Sequence, residues 1–325
     1  MTTRRHFLSF AAAAAAGSAL GWGRPAAAQA GVTKLFVGFQ AGGGFDALAR
    51  IVAEQLQKHE GKTFIVENKP GAAGRLAVDS VRRSAPDGSV LLVTPSPVLT
   101  LAPHTESDVA FDPLRDLVTI ARLASFDYGF AVSAALNVST LQDYIDAVRK
   151  DGKLGAYGSP GVGLTPHLVG MILGREAGIE LLHVPYKGTA PALQDAMGNQ
   201  VPAVCATAPA LVAGHKSGRI RVLATTGSQR NPDLPDVPTF TESGLKDLVI
   251  EDWAVMSAPA GTPAPVVDAL SKAVLASLTD PKLQQQFKQQ GFYPAGLAAE
   301  AAAALLKSDY EQWKTLVKAL DFKGN

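Results

Sequence analysis

The sequence predicts an α/β protein of two lobes, each built on a doubly wound sheet. Short apolar runs of strand length alternate with amphipathic runs of helix length, the pattern of strands joined by crossover helices. The alternation occurs twice, with a less regular stretch from Ala102 to Ser139 between the two series. Polar, glycine-rich loops stand where strand-like runs give way to helix-like ones, which is where open α/β sheets place their ligands.

Residues 1–30 read as an export leader rather than as part of either lobe. Arg4-Arg5-His6-Phe7-Leu8 is followed by an alanine-rich apolar run and by Ala28-Gln29-Ala30, an A-x-A ending. The paired arginines ahead of Phe-Leu favour twin-arginine export. Ser9 stands where that route usually has lysine, so the general secretory route stays open. Phe7 to Trp22 is too short and too rich in alanine and glycine to anchor the chain in a bilayer. Cys205 is the only cysteine, so the sequence offers no leader cysteine for a lipid and no internal disulfide. Cleavage near Ala30 and release into a bacterial periplasm are expected. The chain has 30 Lys and Arg against 29 Asp and Glu. The leader removes Arg4, Arg5 and Arg24 and no acid, which leaves the mature chain slightly acidic. That balance, without basic runs, excludes the footprint of a nucleic-acid binder.

The first α/β series runs strand Leu35–Phe39, helix Ala47–Lys58, strand Phe64–Glu67, helix Leu76–Arg83 and strand Val90–Thr94. The second alternates Leu154–Tyr157, Pro166–Ala177, Leu181–Val184, Ala190–Met197, Val201–Ala206, Ala210–Ser217 and Val222–Thr225. Thr140, with Asp143 three residues on, reads as a capping box. Thr165-Pro166 and Thr189-Ala190-Pro191 place a hydroxyl near the cap and proline in the first turn. Pro263 to Leu320 reads as three helices, broken near Asp280-Pro281 and across Gly291–Gly296.

Four junction loops are candidates for ligand contact: Gln40–Asp46, Asn68–Gly74, Gly158–Thr165 and Pro185–Thr189. In the first, Gly42, Gly43 and Gly44 let main-chain N–H groups approach a ligand, and the helix opening at Phe45 and Asp46 adds unpaired donors and a positive dipole end. The third clusters glycines ahead of a helix in the same way, one such loop in each half. Glycine-rich turns also serve turn geometry alone, and the loops are candidates as a set. Gly42 to Ala47 also satisfies G-x-G-x-x-A, with Glu67 where a ribose-binding acid belongs. An exported dinucleotide-dependent oxidoreductase is therefore an alternative, disfavoured by the leader.

Other chemistry finds no constellation. Leu56 replaces the first glycine of a phosphate loop ending at Gly61-Lys62-Thr63, and Tyr157 replaces the leading glycine of a serine elbow at Gly158–Gly161. His59-Glu60 lacks a second histidine at helical spacing, His104, His167, His183 and His215 are scattered, and Cys205 sits in an apolar run as core. No catalytic residues, metal site or cofactor are expected.

At these loops the chain resembles a known family, the extracytoplasmic solute receptors of tripartite tricarboxylate transporters, or Bug-type binding proteins. The resemblance runs from about Lys34 to Leu320. It rests on ordered matches: Ala41–Gly44 with Asp46 and Arg50, Val66–Gly74, Ala85–Gly88, Gly158–Gly161, His167-Leu168, His183–Gly188, Leu234–Thr239 and Ala258–Pro263. It implies a two-lobed periplasmic binding protein, each lobe a doubly wound mixed sheet flanked by helices, with the ligand cleft between them. Residues 31–127 and 256–325 would form the first lobe and 128–255 the second, with crossings near Phe126–Ser133 and Trp253–Ala258. It also implies a ligand carboxylate held by main-chain amides and waters, from Gly43 to Asp46 in one loop and from Ser159 to Thr165, including Gly161, Gly163 and Leu164, in the other. Ser96, His167, Tyr186 and Lys187 join the expected binding set. Asp46 and Arg50 either line the site or stabilise their own helix.

Two departures bear on the ligand. Phe45 stands where the family commonly has threonine, and Ala206-Thr207 replaces an acidic or amide pair. The loss of polar side chains points to an aromatic or aliphatic carboxylate rather than citrate or an amino acid, unless Phe45 simply packs inward. The expected role is that of a monomeric receptor that captures such a carboxylate for the large and small membrane subunits of a transporter. A receptor feeding a signalling protein has the same sequence features.

Overall fold

The computed structural model describes residues 31–246 and 248–322; the expected leader lies outside them. The strands are β1 (Val32–Val37), β2 (Thr63–Asn68), β3 (Val90–Pro95), β4 (Leu117–Phe126), β5 (Tyr128–Ser133), β6 (Ala156–Ser159), β7 (Leu182–Pro185), β8 (Ala203–Thr207), β9 (Ile220–Thr225), β10 (Asp252–Pro259) and β11 (Tyr293–Ala298). The longer helices are α1 (Gly44–Glu60), α2 (Arg75–Arg82), α3 (Leu141–Lys150), α4 (Thr165–Ala177), α5 (Thr189–Met197), α6 (Ala208–Lys216), α7 (Ala264–Ser277), α8 (Pro281–Gln289) and α9 (Ala299–Ala319).

Two sheets result, a six-stranded one in the order β11-β4-β10-β3-β1-β2 and a five-stranded one in the order β7-β6-β8-β5-β9. Side chains of a strand alternate between faces, and here both faces are covered. Leu35, Val37, Leu91, Val93, Ala254 and Met256 enter one apolar layer, while Phe36, Leu92, Trp253 and Val255 enter another with Val78 and Val81 of α2. In the second sheet Phe130, Val132, Ala203 and Cys205 share the first layer, and Ala131, Val204 and Ala206 pack on the opposite side. Strands buried on both faces read as continuous apolar runs, which is why they were legible as short uninterrupted stretches. Cys205 is fully buried, and burial pushes its thiol well up from the usual range.

Both sheets are mixed. β1 runs parallel to β2 and β3, whereas β10 lies antiparallel between β3 and β4. β5 is antiparallel to both β8 and β9. The stretch that lacked regular alternation contains β4 and β5, two nearly continuous strands with no turn signal between them. The expected break at Gly291–Gly296 is not a loop between helices but contains most of β11, which adds an edge to the first sheet beside β4.

The chain passes between sheets twice. β4 runs into β5 through Asp127 alone, and the return lies between β9 and β10. Residues 253–258, expected at the second crossing, are inside β10, and residues 252–255 pair with β4 of the first sheet. Thr226 stitches the two passages together: Tyr128 N–H donates to Thr226 Oγ1 (3.0 Å), and Thr226 Oγ1 donates to Ile250 O (2.6 Å). No helix among the described residues is long and apolar enough to cross a membrane.

Candidate functional site

Five helices begin at the rim of one cleft of about 910 Å³ between the sheets. Its lining includes Gly44 of α1, Gly74 and Arg75 at α2, Leu164 and Thr165 at α4, Gly188 and Thr189 at α5, and Thr207 and Pro209 at α6. None of these helices carries a side-chain cap. Elsewhere the long helices divide: Thr140 and Asp143 form the expected box on α3 and Asp280 caps α8, while α7 and α9 start without a side-chain cap. First-turn N–H groups have no partner within their helix and carry partial positive charge. The cleft therefore gathers main-chain donors from both lobes.

Thr165 and Thr189 do not act as the caps their sequence positions suggest. Each is the first helical residue, after Leu164 and Gly188. The hydroxyl of Thr165 donates instead to Asp252 Oδ2 (2.9 Å), which also accepts from Tyr128 Oη (2.5 Å). Tyr128 and Thr165 both line the cleft. Asp252 lies behind them, fully enclosed, and burial pushes its carboxyl up to about 7 against the opposing hydrogen bonds of Tyr128 and Thr165.

The first loop divides its labour. Gly42 N–H donates to Asp46 Oδ2 (2.9 Å), and Gly43 N–H donates to Gln40 O (3.3 Å). Asp46 also accepts from Arg50 Nε (3.0 Å) and Asn68 Nδ2 (2.9 Å). The Arg50 hydrogen bond, helped by Gly42 and Asn68 and resisted by burial, lowers the Asp46 carboxyl to about 2. Gly42, Gly43, Asp46 and Arg50 shape the turn and are not in the lining, whereas Gly44 and Phe45 are. The neighbouring loop packs main chain to main chain: a Cβ on Gly38 would stand 2.5 Å from Gly74 Cα.

Other expected positions divide similarly. Gly161, Leu164, Thr165 and Thr207 line the cleft. Ser159 and Gly163 of the third loop, and His167 in α4, are outside the lining. Ser96 is buried, its Oγ accepting from Trp253 N–H (3.2 Å), although Pro95 and Pro97 beside it reach the cleft. Ala206 is core, Lys187 is exposed, and Tyr186 Oη donates to Asp195 Oδ2 (2.8 Å). Ala206, Tyr186 and Lys187 are outside the lining.

Sequence reasoning named the second loop as a candidate without singling out its residues, and passed over lining residues elsewhere. The second loop contributes Pro70 to Arg75, and Ala72 and Ala73 adopt φ of 46° and 50°, a left-handed conformation that non-glycine residues hold only under local constraint. Its glycine pair at a strand-to-helix junction was the available signal. Phe45 is surrounded by Phe39, Phe126 and Phe292, with ring centroids 5.7, 5.6 and 5.1 Å away, and all four line the cleft. These phenylalanines are far apart in sequence and share no motif. Phe45 thus both packs on neighbours and faces the cavity. The charged side chains in the lining are Arg75 and Glu106, 3.2 Å apart, with Arg75 also 3.1 Å from Asp108. With its cation neutralised, the cleft is left with N–H donors at one kind of surface and aromatic rings at another.

The lobes touch at the rim of the cleft. Thr105 Oγ1 donates to Gly163 O (3.1 Å), Tyr293 Oη donates to Asn231 Oδ1 (2.9 Å), and a Cβ on Gly291 would fall 2.0 Å from Pro209.

Residues 48–322 match a family model described as "Tripartite tricarboxylate transporter family receptor". The chain is 34% identical to a Cupriavidus necator protein described as "UPF0065 protein in gbd 5'region", with 98% of each covered. Among solved structures it is similar to the periplasmic binding protein BugD, with TM-score 0.80, 33% identity, and 90% and 99% of the two chains covered. It is also similar to R. palustris Rpa4515 with adipate, with TM-score 0.83, 26% identity, and 94% and 100% covered. The oxidoreductase alternative falls with these matches; Glu67, its would-be ribose ligand, is paired with Lys34 at 2.7 Å. The chain belongs to the receptor family of tripartite tricarboxylate transporters, whose members are periplasmic solute-binding proteins rather than enzymes.

Proposed function

We propose that this receptor binds a small organic carboxylate with an apolar body between its lobes and delivers it to the large and small membrane subunits of a tripartite transporter. The observation that carries the reading is the convergence of five uncapped helix starts on a cleft walled by four phenylalanines. One helix N-terminus contributes about 0.3–1 kcal/mol, whereas micromolar affinity needs about 8 kcal/mol. Dipoles alone fall short. Charge-assisted hydrogen bonds from the N–H groups, about 1.5–3 kcal/mol each, together with burial of the ligand's carbon body at about 25 cal/mol per Å², supply the remainder. The site is complete within one chain, so a monomer suffices. Delivery follows export, with the leader removed near Ala30, which the mass of the mature protein tests.

Adipate, the ligand of the Rpa4515 structure, has an unbranched carbon chain between its carboxylates. Phe45 and its neighbours extend that preference here to aryl and alkyl bodies without hydroxyl or amino groups. Calorimetry with benzoate, phenylacetate, adipate, malate, citrate and aspartate tests the proposal. The first three should bind most tightly, and Phe45→Thr should shift preference toward malate. Citrate or aspartate ranking first would overturn the ligand class.

A further inference from the structure

Behind the third loop, away from the cleft, two imidazoles lie face to face: the His167 and His183 rings stack with centroids 3.7 Å apart and 13° between planes. Their hydrogen bonds all run to the loop that lines the cleft. Gly163 N–H donates to His167 Nδ1 (3.2 Å). Ser159 Oγ lies 3.0 Å from Gly161 O and 2.7 Å from His183 Nε2. The single hydroxyl proton of Ser159 serves either Gly161 O or His183 Nε2, and the His183 tautomer sets which; in both arrangements Ser159 links the ring to the loop. His167, accepting at Nδ1, must carry its own proton on Nε2. His167 is therefore the neutral Nε2–H tautomer, and burial lowers both imidazoles, to about 4 and about 3, so the stacked pair is uncharged where two positive rings would repel.

We propose that Ser159, His167 and His183 are positioning residues: a buried uncharged brace that holds the turn from Pro160 to Leu164 in its ligand-receiving shape before any ligand arrives. The inference rests on the receptor reading and deepens it. Gly163 shows why a brace is needed. It sits at φ +70°, and its peptide is gripped on both sides, by His167 at N–H and by Thr105 of the other lobe at the carbonyl. Separation of the lobes removes the Thr105 bond. The histidine bonds lie wholly within the second lobe and survive it. Because Gly163 N–H is tied backward, the turn is fixed with Gly161, Leu164 and Thr165 forward at the cleft. A turn already in place loses less conformational entropy on binding.

The test uses His167→Leu, which removes the acceptor, against His167→Asn, whose Oδ1 occupies the place of Nδ1, and Ser159→Ala. The first readout is amide hydrogen exchange in the ligand-free protein. Exchange across residues 160–164 should rise at least tenfold in His167→Leu and Ser159→Ala and stay within threefold of wild type in His167→Asn, with the Gln40–Asp46 loop unchanged in all three. The second readout is calorimetry with adipate and benzoate, where His167→Leu should lose at least tenfold in affinity and His167→Asn should retain it. Unchanged exchange in His167→Leu, or equal acceleration in His167→Asn, overturns the brace. If wild type binds neither carboxylate, the receptor reading fails on its own while the exchange arm still decides the brace.

Discussion

Asp252→Asn should flatten the fall of stability with pH that wild type shows between about pH 4 and pH 7. The carboxyl is buried at the joint between the lobes, and that burial raises it from the usual 3.8 to about 7. A group raised in the folded state adds its full stability below its unfolded pKa and loses it as pH rises through the folded one. Between those limits the folded chain holds a proton that the unfolded chain has released. A gap of about three pH units, at about 1.36 kcal/mol each, amounts to about 4 kcal/mol. For a chain of this size that corresponds to roughly 8 °C in melting temperature. Asparagine mimics the neutral acid at every pH and keeps an acceptor for Tyr128 and Thr165. Asp127 is also raised, to about 6, but it is present in both proteins and cancels in their difference. Thermal melts of both proteins from pH 4 to pH 8 should converge at the acid end and separate at the alkaline end, with the variant more stable. Parallel curves would refute the assignment of a buried, proton-binding Asp252.

Three further outcomes follow from the geometry. Asp46→Asn should cost about 1–2 kcal/mol at neutral pH, less than the full shift because Arg50 is half exposed; since the Asp46 carboxyl is lowered to about 2, the deficit should vanish as pH falls from 4 toward 2 in denaturant titrations. Gly291→Ala places a Cβ against Pro209 of the other lobe at φ +74°, so calorimetry should show about tenfold weaker carboxylate binding, with a folding cost of about 1–2 kcal/mol. Cys205, buried in β8, should resist a thiol-reactive dye in the native protein and react at once in denaturant.

The loops were legible because glycine clusters and the switch from strand to helix period mark them directly, as at Gly42–Gly44 and Gly158–Thr165. Which groups face the cleft was not legible, because facing depends on the register of the loop. Gly42 and Gly44 are two residues apart, yet one N–H closes on Asp46 while the other residue reaches the cleft. Thr165 carries every mark of a cap, but a buried acid far along the chain, Asp252, competes for its hydroxyl and wins. β11 was hidden because Tyr293–Ala298 contains proline and glycine and has little apolar periodicity; as an edge strand beside β4 it needs only one partner. The aromatic wall assembles Phe39, Phe45, Phe126 and Phe292 from separate elements, which only the tertiary fold can bring together.

In the proposed site the anchoring donors are peptide groups, and every residue type except proline supplies one. Side-chain replacement therefore cannot readily delete the anchor, while the phenylalanine walls change with a single codon. Descendants of such a receptor can explore new solutes by altering the walls alone, with the charge-binding half of the site inherited intact.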